Sequence, residues 1–200
     1  MNKRLIYTIV SLAMFIVIFL TVIFSNHTID FKISEVMSKI NTLYLNSFFI
    51  FVGQYSNFIM IAIALLFLGI FISMKKKKKA IVFTLALACG FALQKLIKFL
   101  FERQRPPAQL IQDLENSFPS GHSISAIILF SLLIYFYKDE IKDKVRKSWF
   151  ITINLFLILF IGFSRIYINA HWFSDVLAGF ALGLFILHLI LFIFEKKNKI

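Results

Sequence analysis

The sequence predicts an all-α protein, a bundle of six transmembrane helices, and three observations carry that prediction. Of its 200 residues 60% are hydrophobic, 26 of them Phe, with a mean hydropathy of +0.84. That is too apolar for a soluble domain of this size. The apolar residues fall into runs near the length that crosses a bilayer as a helix, about 20 residues. The lysines and arginines sit between the runs in a pattern that assigns sides. Backbone in hydrocarbon must satisfy its own hydrogen bonds, so each run is read as helix.

The runs are 5–24, 58–74, 80–101, 124–137, 149–163 and 176–194. The first follows Asn2, Lys3 and Arg4 as a leader would. It is longer than a signal-peptide core, and "FSNHT" offers no small-residue cleavage site, so it is read as a span. The fourth and fifth are short in charge-free length and cross only if helix continues into their polar flanks. Between the first two spans, Ile33, Val36, Met37, Ile40 and Leu43 follow helical spacing. This predicts a short amphipathic helix, either lying on the outer leaflet or packed on the bundle as a cap. No repeat, linker or shift of composition divides the chain, so 1–200 reads as a single integral-membrane domain.

With the N-terminus inside, the cytoplasmic segments hold Lys3, Arg4, Lys75 to Lys79, the cluster from Lys138 to Lys147, and Lys196, Lys197 and Lys199. Only Lys32, Lys39, Lys95, Lys98, Arg103, Arg105 and Arg165 remain for the outside and the membrane. Both termini are then cytoplasmic. The net charge of +12 is absorbed by topology and implies no nucleic-acid partner; the five-lysine run reads as a topology anchor. Cys89 is the one cysteine, so neither an internal disulfide nor a cysteine metal set exists, and it reads as a packing residue. His188, within the last span, reads as a packed neutral histidine.

The outer loops after spans three and five carry "KFLFERQRPP", "FPSGHS" and "SRIYINAHWFSD". Lys98 and Arg105 are seven apart and share a helix face if helix persists to Pro106. Two cations so placed repel, and an anion between them removes the cost. Ser120 is placed to cap the next helix, whose free N–H groups suit phosphate, and Gly121 allows close backbone approach. His122 then stands beside that anion. His171 and Asp175 are four apart, so on a helix the carboxylate holds one imidazole nitrogen and leaves the other free. Arg165 adds a third cation. Asp113 and Glu115 lie in the loop without metal-like spacing. Singly, each segment also fits a plain cap or a snorkelling cation. Together they read as metal-independent phosphoryl transfer, with fixed cations supplying the charge. Roles for Glu102, Arg103 and Gln104 at the entrance stay open.

These letters resemble the type 2 phosphatidic acid phosphatase (PAP2) family, whose fold is shared with vanadium haloperoxidases. Its three motifs, Lys-x6-Arg-Pro, Pro-Ser-Gly-His and Ser-Arg-x5-His-x3-Asp, are all met in order between Lys98 and Asp175. The resemblance implies that His171 is the nucleophile that forms a phosphohistidine, that Asp175 orients it, and that His122 is the general acid. It implies that Lys98, Arg105, Ser120, Gly121 and Arg165 hold the phosphate oxygens, with no cofactor and no metal. The residues alone do not separate nucleophile from acid. The resemblance further implies a lipid phosphate phosphatase of the bacterial plasma membrane with its site on the extracytoplasmic side. The substrate is a phosphomonoester or diphosphate of a membrane lipid: phosphatidylglycerophosphate or a broad lipid-phosphate range, with undecaprenyl diphosphate as the alternative. A non-catalytic phospholipid binding or transport protein is the reading from another class. Oligomeric state is open.

Overall fold

The computed structural model describes residues 3–25 and 27–197, and among them it holds seven α-helices: α1 (Lys3–Phe24), α2 (Thr28–Lys39), α3 (Leu43–Ser73), α4 (Lys77–Leu100), α5 (Gly121–Tyr137), α6 (Lys144–Tyr167) and α7 (Phe173–Lys197). Lys199 lies outside the described residues. Five helices, α1, α3, α4, α6 and α7, are long and apolar enough to cross a membrane. The helix α5 has 17 residues, about 25 Å at the α-helical rise, less than the ~30 Å of a bilayer core. It is also the element apolar on every side, and its neighbours α3, α4, α6 and α7 surround it. An all-round apolar helix belongs in the centre, and a centre shielded by longer helices need not match the bilayer itself.

The core is built around it. Ile128 and Leu132 of α5 meet Phe83 and Ala86 of α4, Ile158 of α6, and Leu182 and Ile186 of α7. The helix α1 lies along α7. The helices α5 and α7 approach each other closely. A Cβ on Gly179 would stand 2.7 Å from the Ser120 carbonyl oxygen and 2.9 Å from Ser123 Cβ, and Gly183 faces the Ile124 backbone in the same way. Small residues four apart let two helix backbones approach closely, and here they seat the start of α5 against the first turns of α7.

Two helices depart from the sequence prediction. The helix α3 begins 15 residues before the predicted span because Gly53, Ser56 and Asn57 lower local hydropathy without interrupting the helix. Gly53 and Ser56 are buried inside the bundle. Thr42 starts the helix, accepting the Leu45 N–H. The predicted amphipathic segment is helical as α2, but only part of its apolar stripe faces inward, with Met37 packed on the cluster of Phe49, Tyr167 and Ile168. Asp30 and Ser34 are the buried residues, while Val36, Ile40 and Leu43 are exposed. Polar contacts hold the helix on α6, α7 and the turn between them, among them Asn169 Nδ2 of that turn donating to Ser38 Oγ at 3.1 Å. Cys89, expected to pack, is exposed on the outer face of α4.

The close approach at Gly179 generates a prediction. Gly179→Ala is expected to cost about 1–3 kcal/mol, the usual price of overpacking, and so to lower the unfolding midpoint in detergent. Gly69→Ala, with nothing within 4 Å of its added Cβ, serves as the control and should hold or raise the midpoint. Equal midpoints for the two variants would refute the close-approach account.

Candidate active site

Three stretches of chain close on one end of the bundle. The last turn of α4 brings Lys98, the start of α5 brings Ser120, Gly121 and His122, and the α6–α7 junction brings Arg165, His171 and Asp175. The long α4–α5 loop is pinned between them. Ser117 N donates to Arg103 O at 2.8 Å, and Asn116 Nδ2 to Lys98 O at 2.8 Å. Phe118, before a cis bond to Pro119, is fully buried against Phe15, Phe19 and Phe101.

Lys98 and Arg105 do not share a helix face, because α4 ends at Leu100. Arg105 reaches the site from the loop. Its Nε donates to Glu115 O at 2.7 Å and its Nη1 to Ala170 O at 2.5 Å. That leaves Nη1 3.5 Å from His171 Nε2. His171 and Asp175 are likewise not on one helix. His171 precedes α7, and the chain turns so that Trp172 N donates to Asp175 Oδ2 at 3.0 Å. His171 Nδ1 then lies 3.5 Å from the same Oδ2, within ion-pair distance but without a formed hydrogen bond. The expected pairing of carboxylate and imidazole arises from a turn rather than from helical periodicity.

Ser120 stands at the N-cap position, yet its hydroxyl accepts from Ser123 Oγ at 3.0 Å and does not cap a backbone N–H. Its own N–H donates to Asp175 O at 3.1 Å, which ties the Pro-Ser-Gly-His turn to α7. A Cβ on Gly121 would stand 2.9 Å from the Gln94 carboxamide carbon, so α4 packs directly on this turn. Arg165 is buried, with Nη1 donating to Gly53 O of α3 at 3.0 Å, and its Nε has no partner among the described residues. His122 Nε2 is also buried without a partner among them.

A cavity of about 300 Å³ opens here between α3, α4 and α5, lined by Asn57, Gln94, Lys98, Gly121, His122 and His171. Its cations are already matched in part. Asp113 Oδ2 lies 2.7 Å from Arg105 Nη2, and Glu115 is shared by Lys98, at 3.4 Å, and Lys95. The two loop acids are therefore carboxylate partners of Lys95, Lys98 and Arg105. No group of three or more His, Cys, Asp or Glu is placed to hold a metal ion among the described residues. Burial pushes the His171 imidazole well below its ordinary value, and the charges of Arg105, Arg165 and Lys98 push the same way. The hydrogen bond from Lys95 holds the Glu115 carboxyl below the usual range. The arrangement offers an imidazole whose Nε2 meets only the long Arg105 contact, a cationic wall for an anion, and a second imidazole on the same cavity.

Sequence reasoning missed one participant. Arg103 does not stand in solvent: its side chain, 9% exposed, lies between Asp175 and Asp30 of α2. Its place in "FERQRP", two residues before Arg105, gave no sign of that, since the partner Asp30 comes from a segment read only for its apolar stripe. Glu102 is exposed, and Gln104 contributes its carbonyl, which accepts from Trp172 Nε1 at 2.8 Å. His188 lies against the Tyr7 ring, with centroids 5.3 Å apart.

The PAP2 superfamily profile matches residues 79–199. The phosphatidylglycerophosphatase B of Bacillus subtilis (strain 168) is 30% identical over 200 residues, which cover 96% of this chain and 98% of that protein. The undecaprenyl-diphosphatase of Sulfolobus acidocaldarius is 24% identical over 92% of this chain and 88% of its own. Among solved structures, the crystal structure of a transmembrane PAP2 type phosphatidylglycerolphosphate phosphatase from Bacillus subtilis superposes with a TM-score of 0.80 at 27% identity, covering 100% of this chain and 99% of that one.

The carboxylates on the cations define a binding test. An arriving dianion has to displace Glu115 from Lys98. Glu115 is about half exposed, and an exposed pair of this kind is worth about 0.2–1 kcal/mol. Glu115→Gln is therefore expected to tighten inorganic phosphate binding, measured by titration calorimetry in detergent, by up to about fivefold. Unchanged or weaker binding would show that Glu115 does not compete for the site.

Proposed function

The chain belongs to the PAP2 superfamily, and from that premise we propose that it is a membrane phosphatase hydrolysing lipid phosphates without a metal, through a phosphohistidine on His171. The observation that carries the reading is the meeting of Lys98, His122 and His171 on one cavity, with Arg105 and Arg165 beside it. Phosphatidylglycerophosphate is the first substrate, on the strength of the Bacillus subtilis relative aligned over nearly the whole of both chains. Undecaprenyl diphosphate is the second, supported by the alignment with the Sulfolobus acidocaldarius enzyme over most of both chains.

In the proposed mechanism the phosphate lies among Lys98, Arg105, Arg165 and the Ser120–Gly121 turn, whose charges and dipoles stabilise the transferring phosphoryl group. As His171 attacks, the 3.5 Å gap between its Nδ1 and Asp175 closes to a hydrogen bond, and Arg105 Nη1 turns from Nε2 to the phosphate, so that the Nε2 lone pair reaches phosphorus. The bond from phosphorus to the ester oxygen breaks as His122 donates its proton to that oxygen. His122 then takes a proton from water, the resulting hydroxide attacks the phosphohistidine, and inorganic phosphate leaves with His171 restored. A cavity of about 300 Å³ is at the small end of ligand sites. It takes a phosphorylated headgroup and leaves the acyl chains among the helices.

The same reading assigns topology. Lys76 and Lys79 of the 75–79 run pair with Glu140 at the bundle end away from the cavity, where Arg4 also pairs with Glu195. With α5 as the sixth span, that lysine-rich end is cytoplasmic under the positive-inside rule. The termini are then cytoplasmic and the cavity extracytoplasmic.

The decisive experiment measures phosphate release from phosphatidylglycerophosphate, undecaprenyl diphosphate and phosphatidate by the detergent-purified protein in the presence of a chelator. Release is expected, and His171→Ala should reduce it by about 10³-fold or more. No release from any lipid, with the protein folded, would point to binding or transport instead. The pH profile gives a second test. Neutral His171 is the nucleophile, and its pKa lies below the ordinary value. Activity therefore falls on the acid side only when pH drops through that lowered value. Arg105→Gln removes one lowering charge and so raises the His171 pKa. The acid limb of kcat/KM is expected to move to higher pH, and an unmoved or lower limb would contradict the assignment.

A further inference from the structure

Asp30 is an acid on a helix outside the site motifs, yet it is buried and fully engaged. Its Oδ1 accepts the Ser174 N–H at 2.9 Å, an otherwise unpaired donor in the first turn of α7. Its Oδ2 accepts from Arg103 Nη2 at 2.6 Å and from Ser174 Oγ at 2.5 Å. Arg103 in turn donates through Nη1 to Asp175 Oδ1, and to Ser174 Oγ at 2.8 Å. It lies over the Trp172 ring at 5.6 Å, with His27 Nδ1 3.5 Å from Nη2. One guanidinium is thus shared by two carboxylates, and all three side chains are less than a tenth exposed.

The consequence falls on Asp175. Its Oδ1 belongs to Arg103, and its Oδ2 accepts from Trp172 N and faces His171. The carboxylate is held at both oxygens, so its direction toward His171 is set by where Arg103 sits. Arg103 is set by Asp30. A buried arginine with one carboxylate instead of two would draw that carboxylate toward itself. Without Asp30, the full charge of Arg103 bears on Asp175 and competes with the imidazolium character that His171 acquires on attack.

We propose that Asp30, acting through Arg103, is a positioning residue for Asp175, so that α2 takes part in orienting the His171 nucleophile. The proposal rests on the phosphatase reading above. Asp30 does not touch the cavity, so its loss should act on turnover and spare substrate binding.

The test uses the full-length protein in detergent with short-chain phosphatidate as substrate. Asp30→Asn is expected to lower kcat by about tenfold or more while KM stays within about twofold. Inhibition by orthovanadate, which takes the pentavalent geometry of the transferring phosphoryl group, should weaken in parallel with kcat/KM. The sharper comparison is made in the Asp175→Asn background. If Asp30 works through Asp175, adding Asp30→Asn there should lower kcat no further. A further loss of the same size in that background would show a general structural role and overturn the proposal, as would an unchanged kcat in the single variant. Should Asp30→Asn fail to fold, Arg103→Lys decides. It keeps the charge and loses the two-armed fork, and kcat should fall at constant KM. An unaltered kcat there would equally overturn the proposal. Phosphate release by the unaltered protein, and its loss in His171→Ala, test the phosphatase reading separately, so an inert Asp30→Asn would sink the positioning role alone.

Discussion

Like charges gathered where water is scarce must each find a counter-charge or a dipole, and that constraint organises the whole active end of this bundle. Lys98, Arg103, Arg105 and Arg165 all lie within a few side-chain lengths of one buried imidazole, and their side chains or residues are nearly shut from solvent. Left unpaired, charges in such surroundings cost several kcal/mol each. Each cation has therefore drawn a separate part of the fold toward it. Lys98 and Arg105 hold the 113–115 loop through its two acids, Arg103 holds α2 through Asp30, and Arg165 reaches the Gly53 carbonyl of α3. The loop conformation, the docking of α2 and the approach of α3 are answers to the same electrostatic demand.

Under the proposed function, the same demand makes the site receptive to phosphate. The loop carboxylates satisfy the cations only in part, because Glu115 is half exposed and shared between two lysines. A phosphate dianion offers more charge and more acceptor oxygens in one place. Arg165, held by a single carbonyl and with Nε unpartnered among the described residues, is the least satisfied of the set. Asp175 sits apart from this exchange. It is fully buried and committed to Arg103 and the Trp172 N–H, so its charge stays behind His171 when the cavity fills.

Much of this was legible in the sequence, for identifiable reasons. The apolar runs mark helices because hydrocarbon leaves the backbone no alternative, and they located five of the long helices with only their ends in error. The start of α3 was hidden because Gly53, Ser56 and Asn57 count against hydropathy although they serve packing and the cavity. The gathering of the motif residues was legible, because the loops that carry them were read on one side of the bundle, and the structure brings them to one end. The local geometry assigned to them was not. Lys98 with Arg105, and His171 with Asp175, were placed on helix faces by their spacing, whereas a loop and a turn bring each pair together. Arg103 was opaque for a deeper reason: its meaning lies in Asp30, more than seventy residues earlier, and no local pattern encodes a pairing across that distance.

The shielding of α5 has a consequence for how the protein meets its membrane. His122 stands on the one apolar helix whose neighbours screen it from lipid, while α1, α3 and α4 turn broad faces outward. Changes of bilayer thickness tilt or stretch the helices that contact acyl chains. The central helix feels them only second-hand, through packing that is close and stiff. The outer helices are thus placed as a suspension around a central axle, and the end of that axle carrying the histidine is expected to keep its register when the surrounding membrane changes thickness.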